Sequence, residues 1–475
     1  MARQVLVVHG WSDTSKSFYP LARFLTANGY APSVLWLGDY ISLDDDVRVE
    51  DVARRMGEVI DDMVGKGELD KSFDMIVHST GGLAARAWLT THYRGRAEAC
   101  PVKRLIMLAP ANYGSKLAAM GKSLLGRIVK GYDNWFQTGQ SMLNDLELSS
   151  PYQWELAQRD VLISPGADTT RYYGADRVWP FVIVGSHPYT TLLRQAVNED
   201  GSDGTVRVCA ANLNAKGVTI DFRLPQSDDL FFQPWESRLE CEVPFAVLPT
   251  RTHGSITDPE REDKSNQEGI AETNIEKDAL GTLILQALHC KNFKGYAEIQ
   301  KAWHLVSQDT AARPTKPEES SYFHQYLQVN AYVIDDHGKP VTDYVLEFSS
   351  DKKSEDANVY FLTKVLKDVK KNSLNEALRN LYFDRTDLMN NYYAMLKKNI
   401  AEVLKMSISA APPGKNIKYF KRNEDGATQW VPIHLEDNTA GKRWLQRNTT
   451  HFLQIIIPRQ PSENVFRLAN AKGLI

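Results

Sequence analysis

Apolar residues alternate between two patterns over the first 255 positions. Short continuous runs rich in branched residues occur at Gln4–His9, Pro32–Leu37, Phe73–His78, Val102–Leu108, Phe181–Val184 and Val243–Leu248. Between them lie longer stretches with apolar residues three and four positions apart, at Phe18–Asn28, Val49–Lys66 and Gly81–His92. Continuous apolar strands separated by amphipathic helices are typical of a parallel sheet that helices cover on both faces. The pattern predicts a doubly wound α/β sheet with a ligand crevice beyond the carboxyl ends of its strands.

The alternation stops between Pro110 and Pro180, and we expect residues 115–160 to form a mostly helical cap. Apolar residues recur there at helical spacing, at Leu117, Met120, Leu124 and Ile128, with basic residues interspersed at Lys116, Lys122, Arg127 and Lys130. We predict that Leu117, Met120 and Leu124 bind the substrate. A basic amphipathic helix also suits an anionic membrane interface. The alternative is a helix that only buries its apolar face on the core.

The remainder of the chain reads as a helical extension followed by a second domain. Helical spacing predicts helices at Thr273–His289 and Tyr296–Ser307, within an extension over residues 260–307. The segment Gln308–Ser321 is charged and contains proline, which predicts a linker. We therefore predict one domain over 1–310 and another over 320–475. Beyond the linker, strand-like runs at Tyr326–Ile334, Tyr344–Phe348 and Phe452–Ile457 surround Leu374–Met406, which has helical spacing. This predicts a mainly β, sandwich-like accessory domain with a helical insertion.

Composition and charge narrow the range of functions. The 475 residues carry a formal net charge of only −3, so the chain lacks the overall basic field that binds nucleic acid. Its four cysteines form no CxxC pair, which argues against a zinc cage or a redox motif, and we expect neither metal nor cofactor. The amino-terminal residues do not resemble a secretion signal. We therefore expect a cytoplasmic protein and leave signal-independent export open.

The most informative segment is Ile76–Gly82, where Ser79 lies between an apolar strand and a helical run. A serine on such a sharp turn is exposed above the sheet, and the helix amides that follow point at any oxyanion it generates. Gly81 and Gly82 supply the small residues that the turn needs, although the G-x-S-x-G pattern would also place glycine where Val77 stands. The alternative is that Ser79 is an ordinary helix N-cap.

A second turn follows the first strand, at His9-Gly10-Trp11. A His-Gly turn at a strand end can place a backbone amide opposite a nucleophile, so we assign His9 and Gly10 to the substrate region. We predict an oxyanion hole formed by the amides of Trp11 and Thr80. His78, beside the nucleophile, is expected to orient or pack there.

These two segments together resemble the α/β-hydrolase superfamily, in its lipase and esterase branch, and the likeness covers roughly residues 1–255. The family implies the chain order serine, acid, histidine. In that order, Asp203 in Ser-Asp-Gly-Thr-Val resembles the lipase acid loop, with Asp200 as its rival, and His253 follows the last apolar strand. A calcium loop over residues 200–203 is the other interpretation.

The predicted chemistry is that of a serine hydrolase. Ser79 needs an adjacent base, His253 takes its proton, and Asp203 orients the imidazole. We expect an ester of a hydrophobic or lipid substrate to be cleaved through an acyl-enzyme, as a lipase, phospholipase or esterase would. An acyltransferase or amidase on the same triad is the alternative, as is a lipase-type effector that the C-terminal domain delivers to a membrane or a partner. The oligomeric state is left open.

Overall fold

The structure is a computed structural model of the 475-residue chain. It describes residues 3–10, 15–30, 35–38, 44–119, 139–189, 198–224, 232–260, 279–313, 321–349, 355–396, 404–419, 431–433, 445–466 and 468. Its α-helices span Tyr19–Ala27, Val49–Gly65, Thr80–His92, Lys116–Ala119, Gln140–Leu146, Pro151–Asp160, Val208–Ala211, Ala279–His289, Phe293–Ala311, Glu355–Tyr360, Arg385–Asp387 and Tyr393–Leu396. Single turns of 3-10 or π helix span Ser15–Phe18, Ala97–Ala99, Ser255–Thr257, Phe361–Val365 and Leu388–Tyr392.

Six parallel strands form what we call the N-terminal sheet. Their order across the sheet is Phe245–Leu248, Trp179–Gly185, Val102–Leu108, Phe73–His78, Val5–Val8 and Leu35–Gly38. Val5–Val8, Phe73–His78, Val102–Leu108 and Trp179–Gly185 are buried almost throughout, as a parallel sheet covered by helices requires. This confirms the predicted α/β fold, with strand bounds within a few residues of those expected.

A second, mixed sheet, the C-terminal sheet, draws strands from both halves of the chain. Its order is Leu366–Lys371, Leu378–Asp384, Tyr326–Asp335, Thr450–Ile457, Lys216–Asp221 and Phe232–Pro234. Lys216–Asp221 pairs in parallel with Thr450–Ile457, although more than two hundred residues separate them. The division predicted between residues 310 and 320 is therefore not a division between sheets, because two strands from before it complete this one.

Smaller sheets accompany these two, and the C-terminal region is mainly β, as predicted. They pair Tyr344–Ser349, Leu404–Ala410 and Val431–Ile433; Ile417–Tyr419 and Arg459–Pro461; and Leu162–Ile163 and Glu236–Ser237. A shared apolar core includes Val329 and Leu453 of the C-terminal sheet and Met406 of the three-stranded sheet. The C-terminal sheet and the sheet of Tyr344–Ser349, Leu404–Ala410 and Val431–Ile433 thus share one core, in the manner of a sandwich.

The helical interpretation of Leu374–Met406 is wrong over much of its length. Leu378–Asp384 is a strand of the C-terminal sheet, and Leu404–Ala410 begins another strand. Among the residues of that range that the structure describes, only 385–396 are helical, as three consecutive short turns. Both faces of the strand Leu378–Asp384 are covered, so Asn380 and Asp384, which alternate with Leu381 and Phe383, are buried although they are polar. The polar residues therefore do not mark a solvent-exposed face.

The predicted cap is helical where the structure describes it. Lys116–Ala119, Gln140–Leu146 and Pro151–Asp160 are helices, whereas residues 120–138, with Met120 and Leu124, lie outside the described residues. None of the helices in the described part of the chain has the length and apolar character needed to cross a bilayer.

Candidate active site

Ser79 lies between the strand Phe73–His78 and the helix Thr80–His92, as the sequence predicts. Its backbone has φ 54° and ψ −123°, an unfavourable conformation for a residue with a Cβ. The N-cap alternative requires the hydroxyl to accept from a helix amide, and Ser79 makes no such side-chain cap bond. The turn instead presents the hydroxyl to His253.

Gly10 of the predicted His-Gly turn packs directly on the nucleophile candidate. A Cβ at Gly10 would lie 2.7 Å from the Ser79 Cβ and 3.3 Å from its Oγ. Room around the serine therefore comes in part from Gly10, just beyond the end of the adjacent strand Val5–Val8. His9 is buried and stacks on Phe18, with ring centroids 5.6 Å apart.

His253 bridges Ser79 and Asp203. Its Nε2 is 3.0 Å from the Ser79 Oγ, and its Nδ1 is 2.8 Å from the Asp203 Oδ2. Asp203 is fully buried, and its other oxygen accepts from the amides of Thr205 and Val206 at 2.9 and 2.8 Å. The backbone amide of His253 also donates to the Asp203 carbonyl at 2.9 Å. Side chains from three distant segments thus meet in the serine, histidine and acid arrangement that activates a hydroxyl.

Asp200 does not occupy the position of the acid. Its pKa is raised by burial and by the nearby Asp384, and the charges that act on it include Lys367 and His324 of the C-terminal region. The calcium alternative needs the Asp203 oxygens as ligands, but one of them accepts from two amides and the other from His253. Asp203 is therefore the residue that the geometry brings to the histidine.

His78 lies beneath His253 rather than on an open surface. Its Nε2 is 3.0 Å from the His253 carbonyl oxygen, and the two rings are 4.7 Å apart. Burial lowers the pKa of His78 well below its ordinary value, and His253 lowers it further. The neutral ring therefore carries its proton on Nε2, because a carbonyl oxygen only accepts.

The other predicted site residues are placed in part. Thr80 is the first residue of the helix Thr80–His92, so its amide lies at the positive end of the helix dipole. Trp11, the other predicted oxyanion donor, lies outside the described residues. Leu117 is buried, and its neighbour Lys116 pairs with Glu199 at 2.9 Å. That ammonium group belongs to an ion pair within the protein and is not a free basic group on the cap.

Nothing in the sequence predicts a role for Arg207, which lies at the end of the loop that carries Asp203. Its side chain is buried and contacts Glu199, Asp368 and Asn380. A single arginine in an apolar stretch has no motif around it, and two of its partners, Asp368 and Asn380, come from strands far along the chain. Arg207 is recognised only from its contacts with Asp368 and Asn380 in the folded C-terminal sheet.

One group of possible metal ligands exists among the described residues, at His324, Asp384 and Asp387. His324 Nδ1 is 2.7 Å from the Asp384 Oδ2, and Asp387 Oδ1 accepts from Tyr360 and Asn391. Since these ligand atoms have partners within the chain, we assign no metal to this group.

The fold agrees with comparisons to known proteins. The family model described as "Alpha/beta hydrolase family" matches residues 5–261, so this chain belongs to the α/β-hydrolase family. A search of curated proteins found no match.

Among solved structures, the chain is similar to phospholipase PlaB from Legionella pneumophila in complex with thio-NAD. The identity is 26%, the TM-score 0.76, and the alignment covers 98% of this chain and 96% of that one. A second PlaB structure gives 24% identity, the same TM-score and the same coverage. The lipase BlEst2 from Bacillus licheniformis is more distant, at 16% identity and a TM-score of 0.36, over 54% of this chain and 87% of that chain. The likeness to PlaB extends over the C-terminal region as well as the hydrolase fold.

Proposed function

We propose that this protein is a serine hydrolase that cleaves a carboxylic ester of a lipid, with a phospholipid as its first candidate substrate. The observation that carries the proposal is the position of His253, within hydrogen-bond distance of both the Ser79 hydroxyl and the Asp203 carboxylate. The serine alone is a weak nucleophile, and an adjacent base makes it reactive.

In the first half-reaction, the Ser79 Oγ attacks the ester carbonyl carbon while its proton moves to the His253 Nε2. Asp203 stabilises the imidazolium that forms. The carbonyl π electrons become an oxyanion, for which the Thr80 amide at the helix start is the described donor. Collapse of the tetrahedral species breaks the ester C–O bond, and the histidine returns the proton to the leaving alcohol.

In the second half-reaction, water attacks the acyl-serine. His253 takes a proton from the water, and the collapse that follows releases the carboxylic acid and returns the proton to Ser79. If an alcohol replaces water, the same steps give acyl transfer. The triad is the same for both reactions, so the acceptor decides between them.

The choice of a lipid ester draws support from the likeness to phospholipase PlaB, which extends over nearly the whole of both chains at 26% identity. The apolar residues predicted for the cap favour a hydrophobic acyl group. Peripheral contact with a membrane would then supply the substrate. A cytoplasmic location stays a prediction from the sequence.

A fluorophosphonate probe followed by mass spectrometry tests the nucleophile. We expect one adduct on Ser79 in the wild-type chain and none in Ser79→Ala, with both proteins folded. Labelling at another serine, or none, would overturn the proposal. Release of fatty acid from phosphatidylglycerol and phosphatidylcholine vesicles, compared with a triacylglycerol emulsion and a short p-nitrophenyl ester, then tests the substrate class.

The acyltransferase and amidase alternatives are tested on the same preparation. Hydrolysis of the p-nitrophenyl ester is followed with and without added alcohol acceptors, and a matched anilide replaces the ester. Transfer product that accumulates at the expense of free acid would replace the hydrolase with a transferase. Faster cleavage of the anilide than of the ester would instead favour an amidase.

A further inference from the structure

The loop that carries Asp203, which we call the acid loop (residues 198–207), rests on the C-terminal sheet at both of its ends. Near its start, the Tyr382 hydroxyl donates to the carbonyl oxygen of Asp200 at 2.7 Å. At its end, the guanidinium of Arg207 lies 3.9 Å from the centre of the Tyr382 ring. A single tyrosine of the strand Leu378–Asp384 therefore contacts both ends of the loop.

The contact near the start of the loop leaves no space for a side chain. Gly201 has φ +72°, and a Cβ there would lie 2.1 Å from a ring carbon of Tyr326 and 2.6 Å from the Tyr382 hydroxyl. The rings of Tyr326 and Tyr382 stack with centroids 4.9 Å apart and planes 15° from parallel. The loop backbone is thus seated on a stacked pair of tyrosines from two adjacent strands.

The contact at the end of the loop is ionic and buried. Arg207 binds Glu199 through Nε at 2.6 Å and Nη2 at 2.9 Å, and this pair closes the loop upon itself. The same guanidinium reaches Asp368 at 3.0 Å and Asn380 at 2.6 Å, both in the C-terminal sheet. A buried guanidinium is stable only when it has charged and hydrogen-bonded partners, so these contacts hold the loop firmly to the sheet.

The charged side chains of the acid loop stabilise its contact with the C-terminal sheet. Burial alone would raise the pKa of Glu199, but Arg207 and Lys116 hold it below its ordinary value. The carboxylate is therefore ionised and pairs with both cations at neutral pH. Through Lys116 the same cluster also holds the first helix of the predicted cap.

Between its fixed ends, the loop backbone sets the direction of the Asp203 carboxylate. The Asp203 amide donates to the Val206 carbonyl at 3.1 Å, and the amides of Thr205 and Val206 bind the Oδ1. The amide of Val208 donates to the Gly201 carbonyl at 2.9 Å. A displacement at either end would therefore be transmitted to the carboxylate and to the imidazole that it orients.

We propose that Tyr382 and Arg207 are positioning residues, through which the C-terminal sheet holds Asp203 in place for His253. The proposal rests on the serine-hydrolase function proposed above. It makes the last third of the chain a part of the catalytic unit rather than a separable targeting domain. The sharing of strands between the two halves of the chain agrees with this, since Lys216–Asp221 follows the acid loop and enters the C-terminal sheet.

The test compares Tyr382→Phe with Tyr344→Phe. Both tyrosines are buried, both lie under an arginine guanidinium (3.9 Å for Tyr382, 3.7 Å for Tyr344), and both donate to a carbonyl oxygen. Only Tyr382 contacts the acid loop, because the acceptor of Tyr344 is Ala377. The pair therefore separates the loss of a buried hydroxyl from the loss of loop positioning.

For each variant, kcat and KM on a short p-nitrophenyl ester, the rate of fluorophosphonate labelling of Ser79 and the melting temperature are measured. We expect Tyr382→Phe to lower kcat and the labelling rate by about tenfold with KM nearly unchanged, since loss of catalytic alignment acts on the chemical step. Tyr344→Phe should react at close to the wild-type rate. Equal rates in the two variants would overturn the positioning role.

Two further comparisons keep the test decisive. If Tyr382→Phe does not fold, Asp368→Asn is measured instead, because Asp368 forms an ion pair with Arg207. Its control is Glu376→Gln, because Glu376 forms an exposed ion pair with Lys371 rather than with Arg207. A rate loss confined to Asp368→Asn supports the proposal, and equal rates contradict it. Absence of Ser79 labelling in the wild-type chain is a separate failure, since it would reject the proposed function before any variant is compared.

Discussion

His78 lies directly before Ser79 in the chain and donates from its Nε2 to the backbone carbonyl of His253, at 3.0 Å. The backbone of the proposed general base is therefore held by the residue next to the proposed nucleophile. His253 also donates its own amide to the Asp203 carbonyl. Hydrogen bonds thus hold both the carbonyl and the amide of His253, and its ring lies between Ser79 and Asp203.

We expect His78→Phe to lower kcat by about tenfold, because the His253 backbone loses its donor and the imidazole loses its alignment with Ser79. His78→Gln keeps a donor of similar reach and should retain more activity than His78→Phe. Steady-state kinetics on a soluble ester measure both variants, and circular dichroism checks their folding. Equal losses in the two variants would show that ring packing, rather than the hydrogen bond, is what matters.

His78 also makes a stability prediction with a definite sign. Its folded-state pKa lies below the ordinary value of 6.5, so below that pH the unfolded chain binds the proton more readily than the folded one. Stability from this group is complete above pH 6.5 and declines as the pH falls below it. At pH 5 the loss approaches about 2 kcal/mol at most.

Urea unfolding of the wild type and His78→Gln at pH 7.5 and 5.0 measures this effect. The wild type should lose more unfolding free energy than the variant between the two pH values. A parallel decline in the two proteins would mean that His78 is not the group responsible. The other titrating groups are shared, so they cancel in the comparison.

The pattern of apolar residues along the chain predicts much of the fold, but it predicts the arrangement of the site only in part. The strand Phe73–His78 matches its predicted bounds, because a strand buried on both faces is a continuous apolar run. Ser79 is predicted from its place between a strand and a helix, and His253 from its place after the last apolar strand, whereas Asp203 is predicted from its resemblance to the lipase acid loop. The choice of Asp203 over Asp200 needed the distance to His253, since both acids lie in the same glycine-rich loop.

The C-terminal region shows why the remaining contacts could not be predicted from the sequence. Tyr382 contacts the acid loop on one side of its strand, while Leu381 and Phe383 enter the apolar core on the other, so both faces of this strand are covered. Asn380 is polar and fully buried, because it binds Arg207. Such residues look like surface positions until their partners, 173 positions away along the chain, are known.

Gly10→Ala tests the close approach that gives Ser79 its room. The added methyl would lie 2.7 Å from the Ser79 Cβ and 3.1 Å from the His78 carbonyl oxygen, so one of the two turns must move. We expect a loss of stability of about 1–3 kcal/mol, as for other overpacked sites, together with slower labelling of Ser79. The control is Gly65→Ala, at a helix end with no atom within 4 Å, which should leave labelling unchanged. Normal labelling in Gly10→Ala would mean that the turns separate without disturbing the serine.

Asp203→Asn and Asp200→Asn together test the assignment of the acid. An asparagine at 203 can turn its amide towards His253 and present N–H to N–H, or turn its oxygen there and lose the bonds from Thr205 and Val206. Either arrangement leaves the imidazole in the wrong tautomer or the wrong place, and kcat should fall on the order of a thousandfold or more. Asp200 accepts from Tyr382 through its carbonyl oxygen, which Asp200→Asn keeps, so this variant should cause a far smaller loss. Kinetics on a soluble ester, with Ser79→Ala as the background, measure both. A larger loss in Asp200→Asn than in Asp203→Asn would reverse the assignment, since it would mean that the working enzyme turns the other carboxylate towards His253.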